Sequence, residues 1–325
     1  MWKDIMVFTE LRDGRIHEIT YELLNKGREM ADKIGWNLSA IYFGEEQTLC
    51  EELIYHGADQ VYRISDVNFR KFIPQVQTNC LKGVILREKP SVVLFGATRI
   101  GRTLASRLAA SLRTGLTADC IGLDIDNEGN LIQTRPAFTG NILATILTKT
   151  RPQMCTVRYR VFERARRDTS RVGEVIDVDY LSPSSVGMEI LERKPLEEVN
   201  LPDARIIVSG GRGFRRKEDL KMLKELAELL GGEVGASRPL VDEGWIGREH
   251  QVGFSGNTVK PDLYMAFGIS GSPQHLAGMR DSKIIVAVNK DPTAPISRFA
   301  DYYIVADLYE ILPRLISKLR ELKKT

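Results

Sequence analysis

Three stretches decide how this chain folds: residues 205–213 (RIIVSGGRG), 262–271 (DLYMAFGISG) and 283–290 (KIIVAVNK). Each holds a short apolar run, Ile206–Val208, Leu263–Ile269 or Ile284–Val288. Each run is closed by small or polar residues, Gly210–Gly211, Ser270–Gly271 or Asn289–Lys290. Apolar runs of this length that stop at glycine read as strands of a parallel sheet buried on both faces. The polar residues that follow then fall at the carboxyl ends of the strands, where open α/β sheets bind ligands.

The side chains gathered there suit one kind of ligand. Gly271, Ser272 and a helix starting near Gln274 would present free backbone N–H groups to an anion such as a pyrophosphate. Arg212 and Arg238 can supply counter-charge in fork geometry. Ser237 and Ser255 offer hydroxyls, and His275 can donate to a carbonyl or to a developing anion. A flavin dinucleotide needs this mixture, with its pyrophosphate, its ribose and adenine, and a ring edge that gains negative charge on reduction. Taken one at a time the motifs are weak, since GGRG alone is a turn and a histidine in a first helical turn is ordinarily a cap.

Composition narrows the class. The chain has 325 residues, a length that suggests two domains, and 43% are apolar. Its 46 basic residues are nearly balanced by 43 acidic ones, which argues against nucleic acid as the partner. No apolar run approaches a membrane span, and the start MWKDIMVFTE is neither a secretion signal nor a transit peptide, so the cytoplasm is the expected location. Cys50, Cys80, Cys120 and Cys155 form no C-x-x-C pair, so buried thiols are expected and no metal site.

The first half alternates strand and helix. Strands are expected at Asp4–Glu10, Leu38–Phe43, Gln60–Ile64 and Ser91–Gly96. Helices are expected at Glu18–Lys33, Thr48–Tyr55 and Phe69–Glu88, giving a parallel sheet with right-handed crossovers. Gly96-Ala97-Thr98 and Gly101-Arg102 could hold a phosphate or adenine, but close helix–sheet packing is the favoured reading. Leu131–Arg135, Asn141–Thr148 and Cys155–Tyr159 read as further strands, and Val175–Leu181 as an edge strand. The basic run Glu163–Arg171 reads as a solvated loop. Ser182–Pro202, with three prolines among charges, reads as a linker. Lys217–Leu230 carries a core stripe of Leu220, Leu223, Leu226, Ala227 and Leu230, ended by Gly231-Gly232. Val234–Ala236 is a short strand that Pro239 keeps from becoming helix.

In sequence order, the second half resembles the flavin-binding half of the alpha subunit of electron-transfer flavoproteins. The resemblance rests on Gly211-Arg212-Gly213, Val234-Gly235-Ala236-Ser237-Arg238-Pro239, Gln251-Val252-Gly253, Gly268-Ile269-Ser270-Gly271, Gln274 to Met279 (QHLAGM) and Asn289-Lys290-Asp291-Pro292. In the first half GLTADC, TRPAFTGN and RPQM carry it, and it is thinnest over residues 1–90. It implies an α/β protein of two domains: an N-terminal nucleotide-binding-like parallel-sheet domain, 1–196, packing against a beta subunit, and a C-terminal doubly wound FAD-binding domain, 197–325. It also implies a hinge between them and a place for Arg135 near the subunit boundary.

The resemblance gives the site residues their roles. Ser237 and Arg238 contact the flavin, Ser255 faces its N5 and His275 its O2, with Gln274 beside it. Gln251, Val252, Gly253 and Phe254 form the neighbouring loop. Gly268, Ser270, Gly271, Ser272 and Pro273 belong to the pyrophosphate or ribityl turn, with Arg212 near the phosphates and Asn289, Asp307 and Leu308 at the adenosine end. Phe254 and Ser272-Pro273 depart from the family's usual Gln and Ala-Ile. A guanidinium at ~4 Å from the ring is worth roughly 4 kcal/mol at an effective dielectric of about 20, on the order of 0.1–0.2 V.

The implied function is electron carriage between a dehydrogenase of the acyl-CoA class, as in fatty-acid β-oxidation, and a redox acceptor such as a quinone oxidoreductase. One alternative within the family is electron bifurcation, in which NADH is oxidised and ferredoxin and an acyl-CoA enzyme are reduced. There the beta subunit holds a second FAD rather than AMP. Outside the family the alternatives are a stand-alone flavin or NAD oxidoreductase, which would need acid–base groups not found here, and an interaction module without flavin.

Overall fold

In the computed structural model, which describes residues 2–65, 72–137, 142–179, 192, 199 and 201–323, the chain divides into units of residues 1–191 and 192–325. The first unit runs β1 (Ile5–Phe8), β2 (Leu11–Arg12), β3 (Arg15–Ile16), α1 (Glu18–Ile34), β4 (Leu38–Phe43), α2 (Gln47–Tyr55), β5 (Gln60–Ile64), α3 (Pro74–Glu88), β6 (Val92–Gly96) and α4 (Arg99–Leu112). It continues with β7 (Leu116–Cys120), β8 (Gly122–Ile125), β9 (Leu131–Ala137), β10 (Ile142–Leu147), β11 (Gln153–Val157) and β12 (Glu174–Asp177).

Seven of these strands form a parallel sheet in the order β12-β5-β4-β1-β6-β11-β7. Successive residues of one strand point to opposite faces. Ile5, Val7, Leu38, Ala40, Val92 and Leu94 therefore join the core on one side, and Met6, Phe8, Ile41, Phe43, Val93 and Phe95 the core on the other. Burial on both faces is why these strands read as continuous apolar runs. The β2–β3 hairpin and the antiparallel sheet β10-β9-β8 add to the expected alternation of strand and helix.

Some expected boundaries move. The third helix starts at Pro74, not Phe69, because Ile73 is extended and proline takes the first helical turn. The edge strand is Glu174–Asp177, and Val178 and Asp179 are no longer strand. The positions 69–71, the turn Thr139-Gly140, Asn141, Tyr180, Leu181 and most of the linker lie outside the described residues. The basic run is an ion-paired surface. Arg164 meets Glu18 at 3.0 Å, Arg167 meets Glu52 at 2.6 Å, and Arg171 reaches Asp59 at 3.4 Å. His17 caps α1, and His56 bonds the Glu52 carbonyl through Nδ1. All four cysteines are buried, and no disulfide joins any two of them.

The second unit runs β13 (Ile206–Gly210), α5 (Lys221–Leu230), β14 (Glu233–Ala236), α6 (Arg238–Asp242), β15 (Leu263–Phe267), α7 (Pro273–Leu276), β16 (Ile284–Asn289), β17 (Tyr302–Val305) and α8 (Leu308–Leu322). Its five strands are all parallel, in the order β14-β13-β15-β16-β17. From β13 the chain winds first to β14 and then back to β15 on the other side, so the winding direction reverses between β13 and β15. Val208, Met265, Phe267 and Val288 pack against Leu223 and Leu226 of α5 and Leu312 of α8. Ile207, Tyr264, Ala266 and Ile285 face Val252, Leu276 and Ile296 on the opposite side. Lys217–Leu220 is a 3-10 turn that leads into α5, and Gly231 ends α5 in the left-handed region. Pro239 does not prevent a helix: it stands in the first turn of α6, where a missing N–H costs nothing.

Candidate functional site

A cleft of about 340 Å³ opens at the carboxyl ends of β13, β15 and β16. This is the crevice beside the reversal of winding, where doubly wound sheets bind ligands. Arg212, Ser237, Gly268, Ser270, Ser272, Asn289, Asp307 and Leu308 line it, as do Gly213, Pro239, Ile269, Val288, Lys290 and Ala306. The second group was given no cofactor role from the sequence, although Gly213, Pro239, Ile269 and Lys290 stand in the motifs quoted above.

Strand ends fix the floor of the cleft. The Gly211 N–H donates to the Phe267 carbonyl and the Gly213 N–H to the Gly268 carbonyl, so the loops after β13 and β15 lie against each other. Gly268 has φ +63°, and a Cβ built there would stand 2.7 Å from the Gly213 Cα. Only glycine permits that backbone approach. Asn289 ties the third strand end in, donating from Nδ2 to the Ile269 carbonyl at 3.0 Å. Beyond Gly268, the backbone N–H groups of Ile269, Ser270, Gly271 and Ser272 donate to no group among the described residues. Consecutive free N–H groups make an anion-binding concavity. Helix α7 adds little to it, because its four residues carry a small dipole.

Charge in the cleft is mainly positive. Arg212 is exposed and makes no ion pair among the described residues. Lys290 Nζ lies 2.7 Å from Asp307, and Arg215 reaches the same carboxylate at 3.2 Å. Asp307 also caps α8 by accepting from the Tyr309 N–H. The Lys290 ammonium, then that N–H bond, hold its carboxyl below the usual range. Asp307 thus reaches the cleft already engaged as a cap and an ion-pair partner.

The remaining site residues form a knot of loops in the same unit. Val252 N–H bonds the Ala236 carbonyl, Gly253 N–H the Asn257 carbonyl and Phe254 N–H the Gln274 carbonyl. Gln251 Nε2 donates to Ser255 Oγ at 3.1 Å. Gln251, Val252 and Gly271 are buried, whereas Phe254, Ser255, Pro273 and Gln274 are exposed. Two side chains of this group make close contacts within the unit. Arg238 turns to Asp242 one helical turn on, at 3.1 Å, with 68% of its side chain exposed. His275 is only 5% exposed and is turned into the core, where its Nε2 meets Tyr264 Oη at 3.0 Å. Burial lowers its pKa to about 4; the Val252 carbonyl opposes this without being placed to form a hydrogen bond.

The chain matches the profile of the electron transfer flavoprotein domain over residues 5–182 and that of the electron transfer flavoprotein FAD-binding domain over residues 200–280. It is 48% identical over 327 residues to the electron transfer flavoprotein subunit alpha of Thermoanaerobacterium thermosaccharolyticum, covering 99% of each chain. This protein belongs to the electron transfer flavoprotein alpha family. It is also similar to Protein FixB of Clostridium saccharobutylicum, at 43% identity over 99% of this chain and 97% of that one. With the lactate dehydrogenase (NAD(+),ferredoxin) subunit LctC of Acetobacterium woodii it shares 42% identity over 98% of this chain and 77% of the relative.

Alpha subunits of this family pair with a beta subunit, and their cofactor is FAD. The second unit's own residues fit that cofactor. The run of free N–H groups with Arg212 and Lys290 suits a pyrophosphate, and the glycine floor lets it come close to the backbone. His275 Nδ1 is a buried polar atom with no partner among the described residues. No helix among the described residues is long and apolar enough to cross a membrane.

Proposed function

We propose that this alpha-family chain carries electrons, through FAD held in its second unit, between a dehydrogenase of the acyl-CoA class and a redox acceptor. The observation that carries this reading is the cleft itself: free N–H groups at Ile269, Ser270 and Ser272 beside Arg212 and Lys290. Bound there, FAD supplies one- and two-electron chemistry, and the protein supplies binding and electrostatics. The N–H run and Arg212 hold the pyrophosphate, and Ser237 and Asn289 orient the nucleotide. Gln251, Val252, Gly253, Phe254 and Ser255, with Ser270 to His275, border the ring and ribityl chain. Arg238 and His275 favour negative charge on the ring edge. Residues 1–196 meet the beta subunit, and 197–325 carry FAD across a hinge in 183–202.

A second reading within the family has its own support in the likeness to a relative named for NAD(+) and ferredoxin. On that reading the chain is one half of a bifurcating flavoprotein that oxidises NADH and reduces ferredoxin and an acyl-CoA enzyme. The test is the absorption spectrum and flavin count of the purified heterodimer. One FAD with AMP supports simple carriage and two FAD support bifurcation. A colourless complex that cannot be reconstituted with FAD refutes both.

A further inference from the structure

Tyr264 and His275 come from different elements and meet inside the second unit. Tyr264, on β15, is fully buried, and His275 stands in the first turn of α7. Their polar atoms are 3.0 Å apart, Oη to Nε2, among Val252, Leu276 and Ile285. A phenol in hydrocarbon must spend its O–H on an acceptor. Among the described residues the imidazole nitrogen is the acceptor at hydrogen-bond distance; Ser209 on β13 also stands near the phenol and acts on it against the effect of burial, but its Oγ meets no partner in hydrogen-bond geometry. Both groups are held neutral, burial raising the phenol and lowering the imidazole.

This donation has a consequence for the ring. A neutral imidazole carries one proton, and the hydrogen bond made by one nitrogen fixes which nitrogen holds it. With the Nε2 lone pair accepting from Tyr264, the proton must be on Nδ1. That N–H is buried and donates to nothing among the described residues, a costly state unless a bound acceptor completes it.

We propose that Tyr264 is the positioning residue of His275, holding the imidazole with its proton on Nδ1 as a donor kept ready for an oxygen of bound FAD. The final clause rests on reading this knot of loops as the flavin contact. The test uses the FAD-loaded heterodimer labelled with 15N-histidine, with long-range 1H–15N spectra reporting the tautomer and His275→Gln assigning the signal. The wild type should show the Nδ1–H form. Tyr264→Phe should mix the two tautomers and weaken FAD binding about 3- to 10-fold. Wild-type protein in the Nε2–H form, or a tautomer unmoved in Tyr264→Phe, overturns the proposal. If the tautomer behaves as expected but neither Tyr264→Phe nor His275→Gln alters FAD affinity or flavin potential, the positioning role stands and the flavin contact at His275 falls.

Discussion

Gly268→Ala should damage both stability and FAD binding, and a second glycine provides the control. At φ +63° a non-glycine residue costs about 1–2 kcal/mol. The added Cβ would also stand 2.7 Å from the Gly213 Cα, 3.0 Å from the Gly213 N and 2.9 Å from Leu308 Cδ2. Two of these are backbone atoms, so the loops after β13 and β15 must move apart, which adds about 1–3 kcal/mol of overpacking. The expected loss is thus about 2–5 kcal/mol. Because Gly213, Gly268 and Leu308 all line the cleft, the same movement should weaken FAD binding by at least about tenfold. Gly231 has nearly the same backbone, φ +67°, with nothing within 4 Å of an added Cβ. Gly231→Ala should therefore lose only about 1–2 kcal/mol and keep its FAD affinity. Urea unfolding and fluorescence titration with FAD measure both quantities. Equal stability and equal FAD affinity in the two variants would refute the claim that the close loop contact shapes the cleft.

Three further outcomes are expected. Because Arg238 is largely exposed and paired with Asp242, its charge at ~4 Å from a ring is worth about 1 kcal/mol in water rather than 4. Arg238→Ala should then lower the one-electron flavin potential on the order of 50 mV; an unchanged potential removes it from the ring's surroundings. His275, with a folded pKa of about 4, binds its proton more readily when unfolded, at the ordinary value of about 6.5. Its stabilising contribution is complete above pH 6.5 and falls away toward pH 4, by on the order of 3 kcal/mol in all. Urea melts between pH 7 and 4.5 should show a smaller loss in His275→Gln than in the wild type, and equal slopes would contradict the buried neutral ring. Shortening residues 183–202 should slow electron delivery in stopped-flow assays while FAD stays bound, and unaltered rates would rule out a hinge there.

The sequence by itself determined the central strands of the two parallel sheets. β4 and β5 fall on their expected residues, and β13, β15 and β16 begin where their apolar runs begin. Parallel strands buried on both faces must be apolar throughout, and the glycines beyond them mark where the chain has to turn. The cleft was legible for the same reason, since Arg212 and Ser270 lie two and three residues beyond β13 and β15, and Asn289 ends β16. Short-range chemistry was less clear. The β2–β3 hairpin has only two residues in each strand, and Pro74 overrides an apolar pattern that continues upstream of it.

What only the tertiary structure decided was the direction of two side chains. Asp242, four residues along α6, draws the Arg238 guanidinium into solvent, and Tyr264 on a neighbouring strand draws the His275 imidazole into the core. A side chain's direction depends on partners that folding brings within a few ångströms. No spacing along the chain encodes that competition.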